Sequence, residues 1–139
     1  MALTESTMID LGAKAPNFCL PEPLSGNVRS LSELSGTKAT LVVFMCNHCP
    51  YVMHILDALV SVANDYQSQG VATVAISAND ITTHPEDAPE KMADLAQSKG
   101  FPFPYLYDQS QAIAKAYGAA CTPDFFLFNQ QLRCIYRGR

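Results

Sequence analysis

The stretch Thr40-Leu-Val-Val-Phe-Met-Cys-Asn-His-Cys49 decides the fold of this chain. Its first six residues are β-branched or apolar, and they predict a strand buried on both faces, as in a parallel sheet. Cys46 follows at once, and a helical pattern then runs to Gln69 and is closed by Gly70. Apolar residues at three- and four-residue spacing predict one buried helix face. These residues are Val52, Ile55, Leu56, Leu59, Val62, Ala63 and Tyr66.

Further strands and helices alternate along the rest of the chain. The predicted strands are Val71–Ser77, Phe103–Tyr107, Asp124–Phe128 and Leu132–Arg137, and the predicted helices are Glu90–Lys99 and Ser110–Tyr117. This alternation implies βαβ units and a mostly parallel sheet. The last two strands are close enough in sequence to form a hairpin, which makes the sheet mixed. The polar segment 79–88 predicts a loop on the face where a site could form.

The two ends of the chain carry weaker signals. Segments 16–21 and 27–31 flank a Ser25-Gly26 turn and predict a short N-terminal β-hairpin. Residues 1–15 are expected to be a loose lead-in to a single domain that spans residues 1–139. The sequence stops at Arg139 directly after a strand, so a C-terminal helix is apparently absent. We therefore expect an exposed apolar face and either a homodimer or a shortened version of a longer protein.

Composition and charge exclude several classes of function. Hydrophobic residues make up 48% of the 139 residues, which excludes global disorder. A net charge of −4 without a basic cluster argues against nucleic-acid binding. No apolar run approaches the roughly 20 residues that cross a bilayer, so no membrane association is expected. Because the N-terminus lacks the features of a secretory signal, we expect the protein to be cytoplasmic.

The cysteines predict a chemical role. Five cysteines at uneven spacing do not form a disulfide framework, and in a reducing compartment they indicate catalysis or metal binding. Cys46 and Cys49 lie two residues apart at a predicted helix start, within disulfide reach. The positive end of the helix dipole, together with a protonated His48, would favour a thiolate on Cys46. We therefore expect the pKa of Cys46 to lie below the free value of about 8.5.

This Cys-x-x-Cys pair has two other interpretations. It could be half of a zinc site, or two buried cysteines without a chemical role. Zinc usually takes four ligands, and the sequence holds no second Cys-x-x-Cys and no His-x-x-x-His. A Cys-x-x-Cys at a strand-to-helix junction within a βαβ pattern favours redox chemistry over both.

Thr122-Pro123 precedes an apolar strand about seventy residues after the cysteine pair. With that pair, it resembles the thioredoxin superfamily, in which a cis-proline opens such a strand and packs against the cysteines. The resemblance implies that Pro123 is cis and that the backbone of Thr122 pairs with an incoming substrate segment. The other interpretation is an ordinary turn proline at a strand start.

Longer blocks narrow the resemblance to peroxiredoxin-like redoxins of the alkyl hydroperoxide reductase/thiol-specific antioxidant type with a CNHC motif. The most specific blocks are CNHCPYV and ACTPDFF, and the match covers about residues 14–139. Cys49-Pro50 resembles the peroxidatic Cys-Pro pair of peroxiredoxins, but Thr122 stands where their peroxide-stabilising arginine is expected. Thioredoxins often carry a buried acid in the strand before the cysteines, and Leu41–Phe44 carries none. The sequence therefore leaves unidentified the group that accepts the proton of the resolving thiol.

The sequence as a whole predicts a thioredoxin-like α/β fold and a thiol–disulfide oxidoreductase. In this prediction Cys46 attacks a substrate disulfide, Cys49 resolves the mixed disulfide, and His48 activates the attacking thiol. Thr122 and Pro123 bind the substrate, which is a protein or a small molecule bearing a disulfide or a thiol. No cofactor and no metal ion is expected.

Three further roles stay open at this point. Cys121, two residues before Pro123, is a candidate third redox thiol. A thiol peroxidase that uses Cys49 is the nearest alternative enzyme. An alternative of another class is a metal-binding or copper-delivery protein with Cys46, Cys49 and His54 as ligands, because thiolates suit Cu(I) and zinc.

Overall fold

A computed structural model describes residues 11–79, 82, 84–119 and 122–138 of the chain. The strands are β1 Cys19–Pro21, β2 Val28–Ser30, β3 Ala39–Phe44, β4 Val71–Ser77, β5 Tyr105–Tyr107, β6 Asp124–Asn129 and β7 Cys134–Gly138. The helices are α1 Leu31–Leu34, α2 Pro50–Gln67, α3 Pro89–Lys99 and α4 Ala112–Tyr117, with a short 3₁₀ helix at Pro85–Asp87. None of the helices in these ranges combines the length and apolarity that crossing a membrane requires.

Five strands form the central sheet in the order β5-β4-β3-β6-β7. β4 pairs in parallel with β3 and β5, whereas β6 pairs antiparallel with β3 and β7. This is the mixed sheet that the sequence predicts. The carboxyl ends of β3 and β4 therefore meet at one edge, where ligands bind in open α/β sheets.

The predicted N-terminal hairpin is confirmed by the antiparallel pairing of β1 with β2. Residues 1–10 of the expected lead-in lie outside the described residues. From residue 12 onward the lead-in is not loose, because the backbone of Gly12, Ala13 and Ala15 hydrogen-bonds to the Leu132–Cys134 segment. Ala15 is also buried, so this part of the chain belongs to the packed domain.

Alternating side chains of β3 and β4 divide the core into two layers. On one face of the sheet, Val42 and Phe44 of β3 belong to a cluster that includes Ile76, Tyr117 of α4 and Leu31 of α1. On the other face, Val43 packs with buried residues of α2 and α3 and with the two cysteines of the CNHC segment. Because successive strand residues point to opposite faces, a strand covered on both faces is apolar throughout.

The buried face of α2 is narrower than its apolar pattern predicts. Val52, Leu56, Leu59 and Ala63 are buried, as expected. Val62 and Tyr66 are instead 47% and 48% exposed. A single sheet face covers only one stripe of a helix, so apolar residues outside that stripe stay in solvent.

A buried ion pair joins the ends of β6 and β7. The side chains of Asp124 and Arg137 are both fully buried, and a guanidinium nitrogen of Arg137 donates to the Asp124 carboxylate. Arg137 also donates to the carbonyl of Gly118 at 3.1 Å and lies 4.1 Å from the ring centroid of Phe126. Because Asp124 directly follows Pro123, the pair anchors the segment that the sequence assigns to substrate binding.

Replacing Arg137 by methionine should lower the free energy of unfolding by about 3–5 kcal/mol, because it leaves the Asp124 carboxylate buried without its countercharge. The double variant Asp124→Leu/Arg137→Met should lose less than Arg137→Met alone. Urea unfolding measures both, with the exposed Arg133→Met as the matched control. A loss for Arg137→Met no larger than that of the control would contradict this account.

Candidate active site

The CNHC segment is a loop between β3 and α2 and not the first turn of the helix. α2 begins at Pro50, and Cys49 is its N-cap residue, with φ −74° and ψ 121°. Proline suits the first helical position, since its missing N–H costs no helical hydrogen bond there. The positive end of the α2 dipole therefore faces Cys49, whereas Cys46 lies three residues before the cap.

The two sulphurs differ in their access to solvent. Cys46 is 0% exposed and Cys49 is 4% exposed. Cys49 lines a cavity of about 580 Å³ at the carboxyl ends of β3 and β4, and Cys46 is not among the described residues that line it. A volume of this size suits a small ligand or one side chain of a larger one. Cys49 is therefore the sulphur that a molecule in the cavity meets.

The wall of this cavity combines apolar and polar side chains. The apolar lining residues include Phe44, Ile76, Ala78, Ala114 and Ala119. The polar lining residues are His48, Asn79, His84, Gln111, Lys115 and Thr122. An apolar wall with a few polar groups is typical of small-molecule sites.

Thr122 lies against both sulphurs, as the resemblance implies. The Thr122-Pro123 peptide bond is cis. The Sγ of Cys46 is 3.6 Å from the hydroxyl oxygen of Thr122, and the Cys49 thiol donates to the Thr122 carbonyl at 3.3 Å. Cys121, the candidate third redox thiol, lies outside the described residues.

The expectation of a low pKa for Cys46 is wrong. The pKa of the Cys46 thiol is raised from its ordinary 9.0 to about 11, chiefly by burial and to a smaller extent by the nearby charges of Asp87 and Cys49. Hydrogen bonds from the Thr122 hydroxyl and the Cys49 backbone N–H act in the opposite direction but are outweighed. A thiolate in an apolar, water-free position loses its hydration, and the helix dipole that could compensate faces Cys49 instead.

Asp87 is the site residue that the sequence analysis missed. Its carboxylate is fully buried and accepts hydrogen bonds from the backbone N–H groups of Asn47 at 2.6 Å and His48 at 3.2 Å. It also accepts from the Asn79 side chain at 3.1 Å and from Nδ1 of His48. The only hint in the sequence was that the polar loop 79–88 follows β4 at the sheet edge where the CNHC segment follows β3.

His48 does not act as the isolated positive neighbour that the sequence predicts. Its Nδ1 is bonded to Asp87, and its ring stacks on His84 with a centroid distance of 3.9 Å and an interplanar angle of 4°. The Cys46 sulphur, a His48 ring nitrogen and an Asp87 oxygen lie within 4.8 Å of one another. Any positive charge on His48 would thus be offset by a carboxylate that itself disfavours a thiolate on Cys46.

The ligand set of the metal-binding alternative is not assembled. His54 is exposed on α2, and within the described ranges the donor group around Cys46 contains His48 and Asp87 instead of His54. These three atoms could hold a metal ion by type. In this structure His48 Nδ1 hydrogen-bonds to Asp87, so the contact between these two side chains is explained without a metal ion.

The two remaining described cysteines divide between core and surface. Both lie in strands that the sequence pattern would place in the core; Cys134 is buried there, whereas Cys19 on β1 is exposed, so that interpretation is wrong for Cys19. The structure forms no disulfide among the four described cysteines.

Comparison with known proteins identifies relatives of two related kinds. A model of the AhpC/TSA family matches residues 11–136. The thiol-disulfide oxidoreductase ResA of Halalkalibacterium halodurans is 30% identical over 119 residues, which are 86% of this chain but only 62% of that relative. A Mycobacterium tuberculosis protein provisionally described as a peroxiredoxin is 28% identical over 117 residues, which are 84% of this chain and 69% of that protein.

Solved structures agree with the fold. A conserved protein from Geobacillus kaustophilus superposes with a TM-score of 0.96 at 51% identity, over 98% of this chain and 72% of that one. A Neisseria meningitidis protein provisionally described as a thioredoxin superposes with a TM-score of 0.72 at 28% identity, over 88% of this chain and 77% of that one. The thioredoxin-like fold predicted from the sequence is therefore confirmed.

The raised pKa of Cys46 predicts that its thiol ionises only at high pH. In a Cys49→Ser variant, Cys46 should still ionise with a midpoint near 11, because burial is the largest cause of the shift and remains. Ultraviolet thiolate absorbance measures it, as the difference between Cys49→Ser and the double variant Cys46→Ser/Cys49→Ser. A midpoint at or below the free value of about 8.5 would instead restore the expectation from the sequence.

Proposed function

The chain belongs to the AhpC/TSA family within the thioredoxin superfamily, and from this premise we propose that it is a thiol–disulfide oxidoreductase working through Cys49 and Cys46. One observation carries the proposal. Both sulphurs contact Thr122, but one of them lines a cavity and the other is sealed behind it. This difference in access supports a cycle in which the Cys49 sulphur attacks the substrate and the Cys46 sulphur resolves the mixed disulfide.

In the proposed order Cys49 attacks first and Cys46 resolves, which reverses the order predicted from the sequence. Cys49 is the N-cap of α2, where the helix dipole favours a negative charge. Cys46 is exposed neither to solvent nor to the cavity, and its raised pKa keeps the thiol protonated at neutral pH. The thiolate is the nucleophile in thiol–disulfide exchange, so the sulphur that lines the cavity and lies at the helix end is the better first nucleophile.

The cycle consists of two exchanges. The Cys49 thiolate attacks one sulphur of the substrate disulfide, forms a mixed disulfide and expels the first substrate thiolate. Cys46 then loses its proton and attacks the Cys49 sulphur, which releases the second substrate thiolate and leaves a Cys46–Cys49 disulfide. The substrate has gained two electrons from the enzyme. One substrate thiolate takes the proton that Cys46 gives up, and the other takes a proton from water, to which Cys49 lost its own proton before the first exchange. Run in reverse, the same steps oxidise a dithiol.

The substrate is a disulfide or thiol on a protein or a small molecule. The apolar residues in the cavity lining support binding of an apolar group near the reacting sulphur. Thr122 and Pro123 remain the proposed docking residues, because Thr122 contacts both sulphurs. The predicted cytoplasmic location and homodimer stay predictions.

A thiol peroxidase is the second candidate function. It is supported by the position of Cys49-Pro50 at the cavity and by the similarity to the Mycobacterium tuberculosis protein. Thr122 in place of the expected arginine argues against it, because nothing of positive charge then polarises the peroxide from that position. Hydroperoxide consumption that disappears in Cys49→Ser, with a sulfenic acid on Cys49 in Cys46→Ser, would favour the peroxidase.

Trapping of mixed disulfides tests the proposed order. In Cys46→Ser, a substrate disulfide should accumulate as a stable adduct on Cys49, because no thiol is left to resolve it. Cys49→Ser should give little adduct. Non-reducing electrophoresis and peptide mass spectrometry after incubation with oxidised proteins or hydroxyethyl disulfide measure both variants.

The control is Cys19→Ser, which removes an exposed thiol away from the cavity and should behave like the unmodified protein. Adducts on Cys46 in Cys49→Ser, with none on Cys49 in Cys46→Ser, would contradict the proposed order and show that Cys46 attacks first. The absence of adducts in every variant would contradict thiol–disulfide exchange itself.

A further inference from the structure

Cys46 has a proton to lose and no open path to solvent. It is fully buried, it is absent from the described cavity lining, and burial raises the pKa of its thiol to about 11. In the resolving step this thiol must nevertheless become a thiolate. A base that reaches both Cys46 and the cavity would remove this obstacle.

Four ionisable groups of the described chain surround this thiol: Cys49, Tyr105, Asp87 and His48. Cys49 carries the substrate in that step. Tyr105 donates its hydroxyl to the Asn47 side chain at 2.9 Å, and burial raises the pKa of Tyr105 well above 10.0. Neither group can take up the proton at neutral pH.

The Asp87 carboxylate is a poor final acceptor for the same proton. It already accepts hydrogen bonds from two backbone N–H groups, from Asn79 and from Nδ1 of His48. Protonation would break part of this set without carrying the proton any nearer to the cavity. Its contacts suit a different role, which is to hold the His48 ring.

His48 is the remaining group, and it lies near both the Cys46 thiol and the cavity. A ring nitrogen lies within 4.8 Å of the Cys46 sulphur, and the same side chain lines the cavity. A carboxylate only accepts hydrogen bonds, so Nδ1 carries a proton and the neutral ring has its free lone pair on Nε2. His84 stacks on the ring and limits its rotation.

We propose that His48, oriented by Asp87, is the proton shuttle between the Cys46 thiol and the substrate sulphur in the cavity. A separation within 4.8 Å leaves room for one bridging water between the Cys46 sulphur and the His48 ring. This inference rests on the proposed order of attack and assigns the proton acceptor that the sequence left unidentified.

In the resolving step one proton moves from Cys46 to the substrate, and one disulfide bond replaces another. The neutral His48 ring takes the Cys46 proton through the bridging water, and the Cys46 thiolate attacks the Cys49 sulphur of the mixed disulfide. The Cys46–Cys49 bond forms, and the bond between Cys49 and the substrate breaks. The departing substrate thiolate takes the proton from the imidazolium, which returns His48 to its neutral form.

A chromogenic disulfide separates the two exchanges. Reduced protein mixed with sub-stoichiometric dithiobis(nitrobenzoate) should release one nitrothiolate on attack by Cys49 and a second on resolution by Cys46. All proteins compared carry Cys19→Ser to remove the exposed thiol, and peptide mass spectrometry locates the intermediate. The nitrothiolate is a good leaving group without protonation, so the second phase reports mainly on deprotonation of Cys46.

His48→Gln should slow the second phase by about 10²–10⁴-fold at neutral pH, the usual contribution of a general base, and should change the first phase far less. The slowed phase should accelerate about tenfold per pH unit, since Cys46 must then ionise unaided. Asp87→Asn should slow the same phase to a smaller extent. His54→Gln, which removes an exposed histidine of α2, is the matched control and should change neither phase.

An unchanged second phase in His48→Gln, or an equal slowing of both phases, would overturn the shuttle while leaving the oxidoreductase intact. The absence of a first phase in the protein with His48 present would instead contradict the proposed function. If His48→Gln fails to fold, the pH profile of the protein with His48 decides. Its second phase should level off well below the pKa of Cys46, and a continued rise towards pH 11 would contradict the shuttle.

Discussion

The site depends on one buried carboxylate. Asp87 lies in the loop after β4, yet it holds the backbone of Asn47 and His48 in the loop after β3. Hydrogen bonds to a charged acceptor in a water-free position are stronger than neutral ones, and leaving that acceptor unpaired is costly. The CNHC segment therefore stays a loop across these residues, and α2 begins only at Pro50.

The delayed start of α2 separates the chemistry of the two cysteines. Both cysteines belong to the buried layer between the sheet and α2, but Cys49 also caps the helix and lines the cavity, whereas Cys46 does neither. Burial then raises the pKa of Cys46, and the negative charge of Asp87 adds to the shift. A spacing that looks symmetrical in the sequence thus becomes an outer sulphur and an inner one, and the proton of the inner sulphur has to leave through a neighbouring side chain.

Much of this architecture could be read from local patterns. The apolar run before Cys46, the helical repeat after it and the strand Val71–Ser77 predict the central βαβ unit, and the structure has it. Thr122-Pro123 was placed against the cysteines only through the resemblance to thioredoxins. Asp87 was out of reach, because no spacing rule links residue 87 to residue 46, and an acidic residue in a polar loop is ordinarily solvated.

The amino-acid sequence alone determined which chemical groups exist and which elements carry them: two thiols at a strand-to-helix junction, a proline before a strand, and a mixed sheet. Those features depend on hydrophobic period and on neighbours along the chain, so they are local. Tertiary structure decided how deep each sulphur lies, which way His48 turns and which carboxylate it meets. Burial and charge pairing are properties of the packed chain, because they arise between residues that are distant in sequence and close only after folding.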